Sequence, residues 1–241
     1  MFSPSVTVIT PTTCRPSVIQ AIQSVKNQTY DKVTHFIVFD GPEQFSDKIY
    51  DHIRPKDFAL VLPENTGANN FNGHRIYAAV SYLINTDYVA FLDEDNWYEP
   101  NHIESLVTAV QPNSHRDGWA WARRNIVDEL GNFICKDECE SLGSDRNVFC
   151  TETKSDYLVD VSCFFMNIRQ AISVSPFWYR KARAENTMPA DRSITRFLLE
   201  HCPFRQWSGE YSVNYRVGSR YDSVQSEFFI QGNAKMKEKK S

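Results

Sequence analysis

The sequence contains no apolar run approaching the roughly 18 residues that a bilayer span requires, although hydrophobic residues fill 41% of its 241 positions. It has no basic excess either: 26 Lys and Arg stand against 30 Asp and Glu, a net charge of −4. A general nucleic-acid binder would show the opposite balance, so that class is excluded. Residues 1–5 hold neither the basic nor the apolar region of a secretory leader, and no segment repeats. These absences predict a soluble, cytoplasmic chain with no membrane span. Cysteine is sparse and unevenly placed, at positions 14, 135, 139, 150, 163 and 202. The spacing of Cys135 and Cys139 is wrong for structural zinc, and no histidine lies between residues 135 and 150, so free thiols are expected.

What is present is an alternation. Residues 6–10 are β-branched and apolar, a buried-strand pattern, with Pro11 expected to stop it. Pro16 suits a first helical turn, and Val18, Ile22 and Val25 follow at helical spacing. Residues 36–39 form a second strand, ended by the turn signal Asp40-Gly41-Pro42. A short helix is expected over 48–53, a third strand over 59–62, a helix with Ile76, Ala79, Val80 and Leu83 on one face, and a fourth strand over 88–92. This order implies an α/β chain with a mostly parallel central sheet flanked by helices. Ligands of such sheets bind beyond the carboxyl ends of the strands. Three strand ends carry suggestive residues: Pro11-Thr12, Asp40-Gly41 and Asp93-Glu94-Asp95.

The second half has a different character. A helix opens at Pro100 with Ile103, Leu106, Val107 and Val110 inward, and closes at Pro112. Strands are expected over 119–127, 133–135, 158–166 and 211–215, with a turn at Gly131-Asn132. Residues 136–155 suggest a long loop or lid, 190–201 a helix with Ile194, Phe197 and Leu198 inward, and 231–241 a frayed, solvated tail bearing Lys235, Lys237, Lys239 and Lys240.

The acidic triplet is the pattern richest in chemistry. Three adjacent carboxylates repel one another, which solvent or a cation relieves. Treated as an extended segment, residues 93–95 would put Asp93 and Asp95 on one face and turn Glu94 away. An acidic turn after a buried strand is the plain alternative.

Several stretches, in order, resemble family 2 glycosyltransferases. They are Ser5-Val6-Thr7-Val8-Ile9-Thr10-Pro11-Thr12, then residues 21–30, then Phe36-Ile37-Val38-Phe39-Asp40-Gly41, then Asn65-Thr66-Gly67 with His74-Arg75, and finally Phe91-Leu92-Asp93-Glu94-Asp95, similar to that family's DxD signature. The similarity is dense over 5–110, thin to about 185, and returns at Ala190-Asp191-Arg192. The resemblance implies a GT-A fold and inverting transfer of a sugar from a nucleoside-diphosphate donor, with a UDP-sugar favoured, to a hydroxyl of a glycan or other acceptor. It implies that Pro11 and Thr12 border the nucleotide, Asp40 bonds the base, Arg75 lies near the base or phosphates, Asp93 faces the ribose or the metal, and Asp95 binds Mn²⁺ or Mg²⁺. Asp191 would be the general base, with Glu185 as its rival. The chain departs from the family at Asn96, where a further Asp is common, and at Ala190, where an acid is usual. Residues 1–98 would form the donor half, 99–217 the acceptor and catalytic half, and 218–241 a tail, all within one GT-A domain.

Plainer roles stand beside these. Asp40 could be a turn former, Arg75 a solvated charge, Asp191 a helix cap, and Trp97 and Trp178 packing residues. Two other functions remain open: a sugar-nucleotide nucleotidyltransferase, against which the glycine-free loop 11–15 counts, and a non-catalytic nucleotide- or sugar-binding domain.

Overall fold

A computed structural model describes residues 3–111, 118–142, 158–179, 188–218 and 223–240. The first half alternates as its periodicity predicts: β1 (Val6–Thr12), α1 (Val18–Lys26), β2 (Val33–Phe39), α2 (Asp47–Tyr50), β3 (Phe58–Val61), α3 (His74–Val80) and β4 (Tyr88–Phe91). Val6, Val8 and Ile9 of β1 are fully buried, each stabilising the fold by roughly 1.5–3 kcal/mol. Helix α1 covers the sheet with Val18, Ala21, Ile22 and Val25.

The second half adds β5 (Trp97–Tyr98), α4 (His102–Val110), β6 (Trp119–Val127), β7 (Phe133–Lys136), β8 (Phe164–Asn167), α5 (Ile168–Trp178), α6 (Ala190–His201), β9 (Arg205–Arg216) and α7 (Ser226–Lys240). The strands make one sheet in the order β3-β2-β1-β4-β8-β6-β9-β5, with β7 also on β6. β1–β4, β6 and β9 run one way, and β5, β7 and β8 the other.

Four sequence expectations are corrected. Proline does not stop β1 at residue 11; the strand continues to Thr12, with Pro11 paired to Val38 of β2. What Pro11 ends is the pairing with β4. Leu92 N–H donates to Ile9 O at 2.9 Å, and the next rung of that parallel ladder needs an N–H at position 11, which proline lacks. The chain therefore leaves the sheet after Leu92 and delivers residues 93–96 beyond the strand ends. Second, 158–166 is not one strand. The Asp160 carboxylate accepts the Ser162 N–H at 3.1 Å, the chain coils through a 3₁₀ turn, and β8 begins only at Phe164. Third, the lysine-bearing tail is helix α7, held by Phe229 and Met236, which are buried with Ile126, Cys139 and Val217. Fourth, Leu83 lies beyond α3 and is exposed. The expected closure at Pro112 and most of the expected loop 136–155 lie outside the described residues.

Helix α5 starts at a reciprocal cap, Gln170 N–H to Asn167 Oδ1 at 2.9 Å and Asn167 N–H to Gln170 Oε1 at 3.1 Å. It lies against α3, and its last residue, Trp178, packs on Tyr77 and Phe91. No disulfide joins any two of Cys14, Cys135, Cys139, Cys163 and Cys202. Among the described residues no helix is long and apolar enough to cross a membrane.

Candidate active site

The ends of β1, β2 and β4 open onto one cleft of about 350 Å³. Its lining includes Pro11, Thr12, Asp40, Asp93 and Asp95, as the sequence suggests, together with Arg15, Glu94, His74, Tyr215 and Arg216.

Asp40, at the end of β2, is buried. Its Oδ1 accepts the Thr66 N–H at 2.7 Å and the Thr66 hydroxyl at 2.8 Å, and its Oδ2 accepts the Gly67 N–H at 2.9 Å. A carboxylate offers about four acceptor positions, so one remains after the loop is anchored. That loop approaches too closely for side chains at two positions. A Cβ on Gly67 would sit 2.4 Å from Asn72 O, and one on Gly73 2.5 Å from Pro11 Cγ.

The acids of 93–95 do not occupy an extended segment. Asn96 N–H donates to Asp93 O at 3.1 Å, closing a turn, so the alternation argument fails and all three acids face the cleft. Glu94 does not point away. It reaches back to the loop after β1 and accepts the Thr12 hydroxyl at 2.6 Å, the Thr13 hydroxyl at 2.9 Å and the Thr13 N–H at 3.1 Å, with Arg15 Nε at 3.3 Å. Arg15 also reaches Asp95, Nη1 to Oδ2 at 3.3 Å. Asp93 accepts the Tyr77 hydroxyl at 2.7 Å. Removal from water, then the nearby Asp95 and Asp160 charges, push Asp93 up to about 8. Asn96 explains its own departure from the family pattern: its amide donates to Ser162 Oγ at 3.3 Å and accepts the Arg216 N–H at 3.0 Å. An ionised Asp there could not donate.

Among the described residues no group of three His, Cys, Asp or Glu is arranged to hold a metal ion. Asp93 and Asp95 nonetheless offer hard oxygen donors on one turn, where a cation would relieve their mutual repulsion. A metal that keeps waters and takes phosphate oxygens needs only one or two protein carboxylates, so the donor set fits Mg²⁺ or Mn²⁺ bound with a diphosphate.

Arg75 and Asp191 are not among the cleft-lining residues. The Arg75 guanidinium lies 3.4 Å from the Phe71 ring centroid and 5.2 Å from that of Tyr179, and its Nη1 donates to Thr66 O at 3.4 Å. It stiffens the loop that Asp40 anchors. Asp191, in the first turn of α6, accepts the Arg192 N–H at 2.7 Å; the helix begins at Ala190 with Pro189 at its N-cap, so Asp191 is not the cap. Burial, then the charge of Asp160, push it up to about 6. Asp160 is also felt by Asp93 and directly precedes the cleft residue Val161. Glu185 lies outside the described residues. Trp178 is core packing, and Trp97 lies under the Arg216 guanidinium at 5.1 Å.

The sequence reading missed Arg15, Tyr215 and Arg216. A charge directly after a strand-end loop was the available signal for Arg15; the other two are supplied by β9, more than a hundred residues beyond the acidic turn.

The profile of the family described as Glycosyl transferase family 2 matches residues 7–206. EpsH of Bacillus subtilis strain 168, named as a glycosyltransferase, is 31% identical over 88 residues, 36% of this chain and 24% of that protein. The glycosyltransferase GlyA of Streptococcus pneumoniae serotype 4 is 29% identical over 101 residues, 38% of this chain and 13% of that protein. The matches thus span at most about a quarter of these curated relatives. The crystal structure of S. aureus TarS 1–349 in complex with UDP-GlcNAc superposes with a TM-score of 0.65 at 12% identity, covering 96% of this chain and 65% of that one. At that identity the likeness establishes the GT-A fold.

Proposed function

Because the chain belongs to glycosyl transferase family 2, we propose that it transfers a sugar, with inversion and with Mn²⁺ or Mg²⁺ bound, from a UDP-sugar to a hydroxyl of a glycan or other acceptor. The observation that carries this reading is the convergence of three strand ends on one cleft, with Asp40 on one wall and the 93–95 turn on the other.

Each residue has a chemical part in that reading. The remaining acceptor position on Asp40 suits the imino N–H of uracil. Pro11 and Thr12 border the nucleotide, and Arg75 acts one step back, by holding Thr66 on Asp40. Asp95 and Asp93 hold the cation. When bound, such a cation neutralises the charge that builds on the departing diphosphate. Arg15, already between Glu94 and Asp95, brings a positive charge to the same end of the cleft. Asp191 takes the proton of the attacking hydroxyl, a role suited to a carboxylate whose proton affinity is raised by burial. Residues 1–98 supply the donor side, while 99–217 supply the acceptor side and the base.

The test is a thermal-shift screen of nucleoside-diphosphate sugars with and without Mn²⁺, followed by assay of UDP release from those that bind. A Mn²⁺-dependent rise in melting temperature with a UDP-sugar, and release of UDP, are expected; a ligand at 100 times its Kd adds about 2.7 kcal/mol to apparent stability. Stabilisation by no UDP-sugar, with or without metal, refutes the donor assignment.

A further inference from the structure

Strand β4 loses its partners on both sides before the acidic turn. On the β1 side the last rung is Leu92 N–H to Ile9 O. On the other side β8 pairs Tyr88 with Asn167, Val89 with Met166 and Ala90 with Phe165. Carried on, this antiparallel register sets Ser162 opposite Asp93. The strands do not pair that far, because the chain coils at Val161–Cys163. The Asp93 N–H is instead accepted by the Ser162 side chain, at 3.2 Å to Oγ. The same oxygen accepts the Asn96 amide at 3.3 Å. A hydroxyl has two acceptor positions, so both bonds can form together. Ser162 is fully buried and Asn96 nearly so, which makes these donors costly to leave unpaired. Ser162 is fixed from behind in turn. Its N–H rests on Asp160 Oδ1 at 3.1 Å, and Asp160 Oδ2 takes Arg124 Nη1 at 3.1 Å. Arg124 is itself buried against Asp137 at 2.9 Å and Glu140 at 2.6 Å.

We propose that Ser162 is a positioning residue for the cation: its hydroxyl stands in for a backbone rung opposite Asp93, ties the Asp93 main chain to the Asn96 amide, and so sets the spacing of the Asp93 and Asp95 carboxylates. The inference rests on the reading of Asp93 and Asp95 as the cation's ligands. Those two acids repel one another, and the turn's own closing bond is Asn96 N–H to Asp93 O at 3.1 Å. A hold from outside opposes that repulsion before a cation arrives. Mg²⁺ tolerates little departure from octahedral geometry at about 2.0–2.1 Å, so a small displacement of either carboxylate weakens its grip. The hold comes from the second half of the chain. Ser162 precedes β8, and β9 adds Arg216, whose N–H donates to Asn96 Oδ1 at 3.0 Å and whose Nε donates to Asp95 O at 3.1 Å. Tyr77 differs in kind, since it bonds the Asp93 carboxylate rather than the main chain.

Ser162→Ala removes the acceptor with little change in volume. The test is calorimetric titration of UDP with and without Mn²⁺. The Mn²⁺-dependent gain in UDP affinity is expected to fall about 10–100-fold, while affinity without metal stays close to the parent. In the metal-free protein the Asp93 amide is expected to exchange its hydrogen faster. Asn96→Ala, which gives up one of the two bonds to the same oxygen, is expected to lose less of the metal-dependent gain. An unchanged Mn²⁺ dependence or an unchanged Asp93 exchange rate in Ser162→Ala overturns the inference. So does an equal loss with and without metal, which marks a general loosening of the cleft. If Ser162→Ala does not fold, Asn96→Ala decides, since an unchanged Mn²⁺ dependence or an equal loss there contradicts the inference as well. Asp95→Ala, measured in parallel, separates the two levels. Mn²⁺ dependence that survives in Asp95→Ala removes the cation reading and this inference with it. Dependence lost there but intact in Ser162→Ala removes only the role of Ser162.

Discussion

Tyr77 donates its hydroxyl proton to Asp93 across 2.7 Å from a position with no solvent exposure. The phenol ring is wedged edge-on against Phe91 and tilted on Trp178, so the hydroxyl has little freedom and the Asp93 carboxylate is oriented by the core. A donor in this position fixes which face of the acid looks into the cleft.

Tyr77→Phe keeps the packing and removes that donor. Outer-shell losses of this kind weaken metal binding about 10–100-fold. The Mn²⁺-dependent part of UDP affinity, measured by calorimetry, is expected to fall by that order while UDP binding without metal changes little. An unchanged Mn²⁺ dependence contradicts the orienting role.

Asp95→Ala leaves Arg15 its contact with Glu94 and so spares the loop after β1. Turnover is expected to vanish, together with the metal-dependent share of donor binding. Turnover at the parental rate in this variant would sink the metal assignment.

Asp191→Asn should bind UDP as the parent does and lose about 10²–10⁴-fold in transfer. The parental rate should be full above pH of about 6 and fall as the pH drops through that value, because the base must be unprotonated. The effect on stability has its own sign. An unfolded aspartate titrates near 3.9, so folding takes up a proton between there and about 6, and this group's contribution is lost as pH rises through that window.

Two histidines act in the other direction. His35 bonds Thr10 Oγ1 and His102 bonds Ser212 Oγ, each at 2.8 Å, and burial lowers both rings to about 3. The unfolded chain, titrating near 6.5, takes up these protons first. Their contribution is present above about 6.5 and is lost as pH falls towards 3. In the folded protein neither ring should show a titration shift by NMR between pH 7.5 and 4.5, while the urea midpoint declines over that range. A folded-state transition near pH 6 at either ring would contradict this.

Much of this site is legible in the residues because strand ends, turn formers and acids are local signals. Asp40 before Gly41-Pro42 and the 93–95 triplet after an apolar run can be read directly. Other features depend on what a distant segment does to a nearby one. Glu94 would point away only if residues 93–95 stayed extended, and they turn because the ladder between β1 and β4 ends at Leu92. Residues 158–166 look like a single strand by hydrophobicity, yet Asp160 coils the chain at that point. The lysines of α7 read as solvated, and only Phe229 and Met236, seven residues apart on one face, reveal the buried side. Ser162 and Arg216 carry no local pattern, since they reach the acidic turn only once the segment before β8 and strand β9 are brought beside it.

The proline in β1 has one further consequence. Two parallel strands tend to zip for as long as each can supply the next rung, and a cleft at their ends would shrink by every rung added. Here a single missing hydrogen atom sets the aperture: β4 runs out of partners at the point where the cleft begins, without any bulky group having to wedge the strands apart.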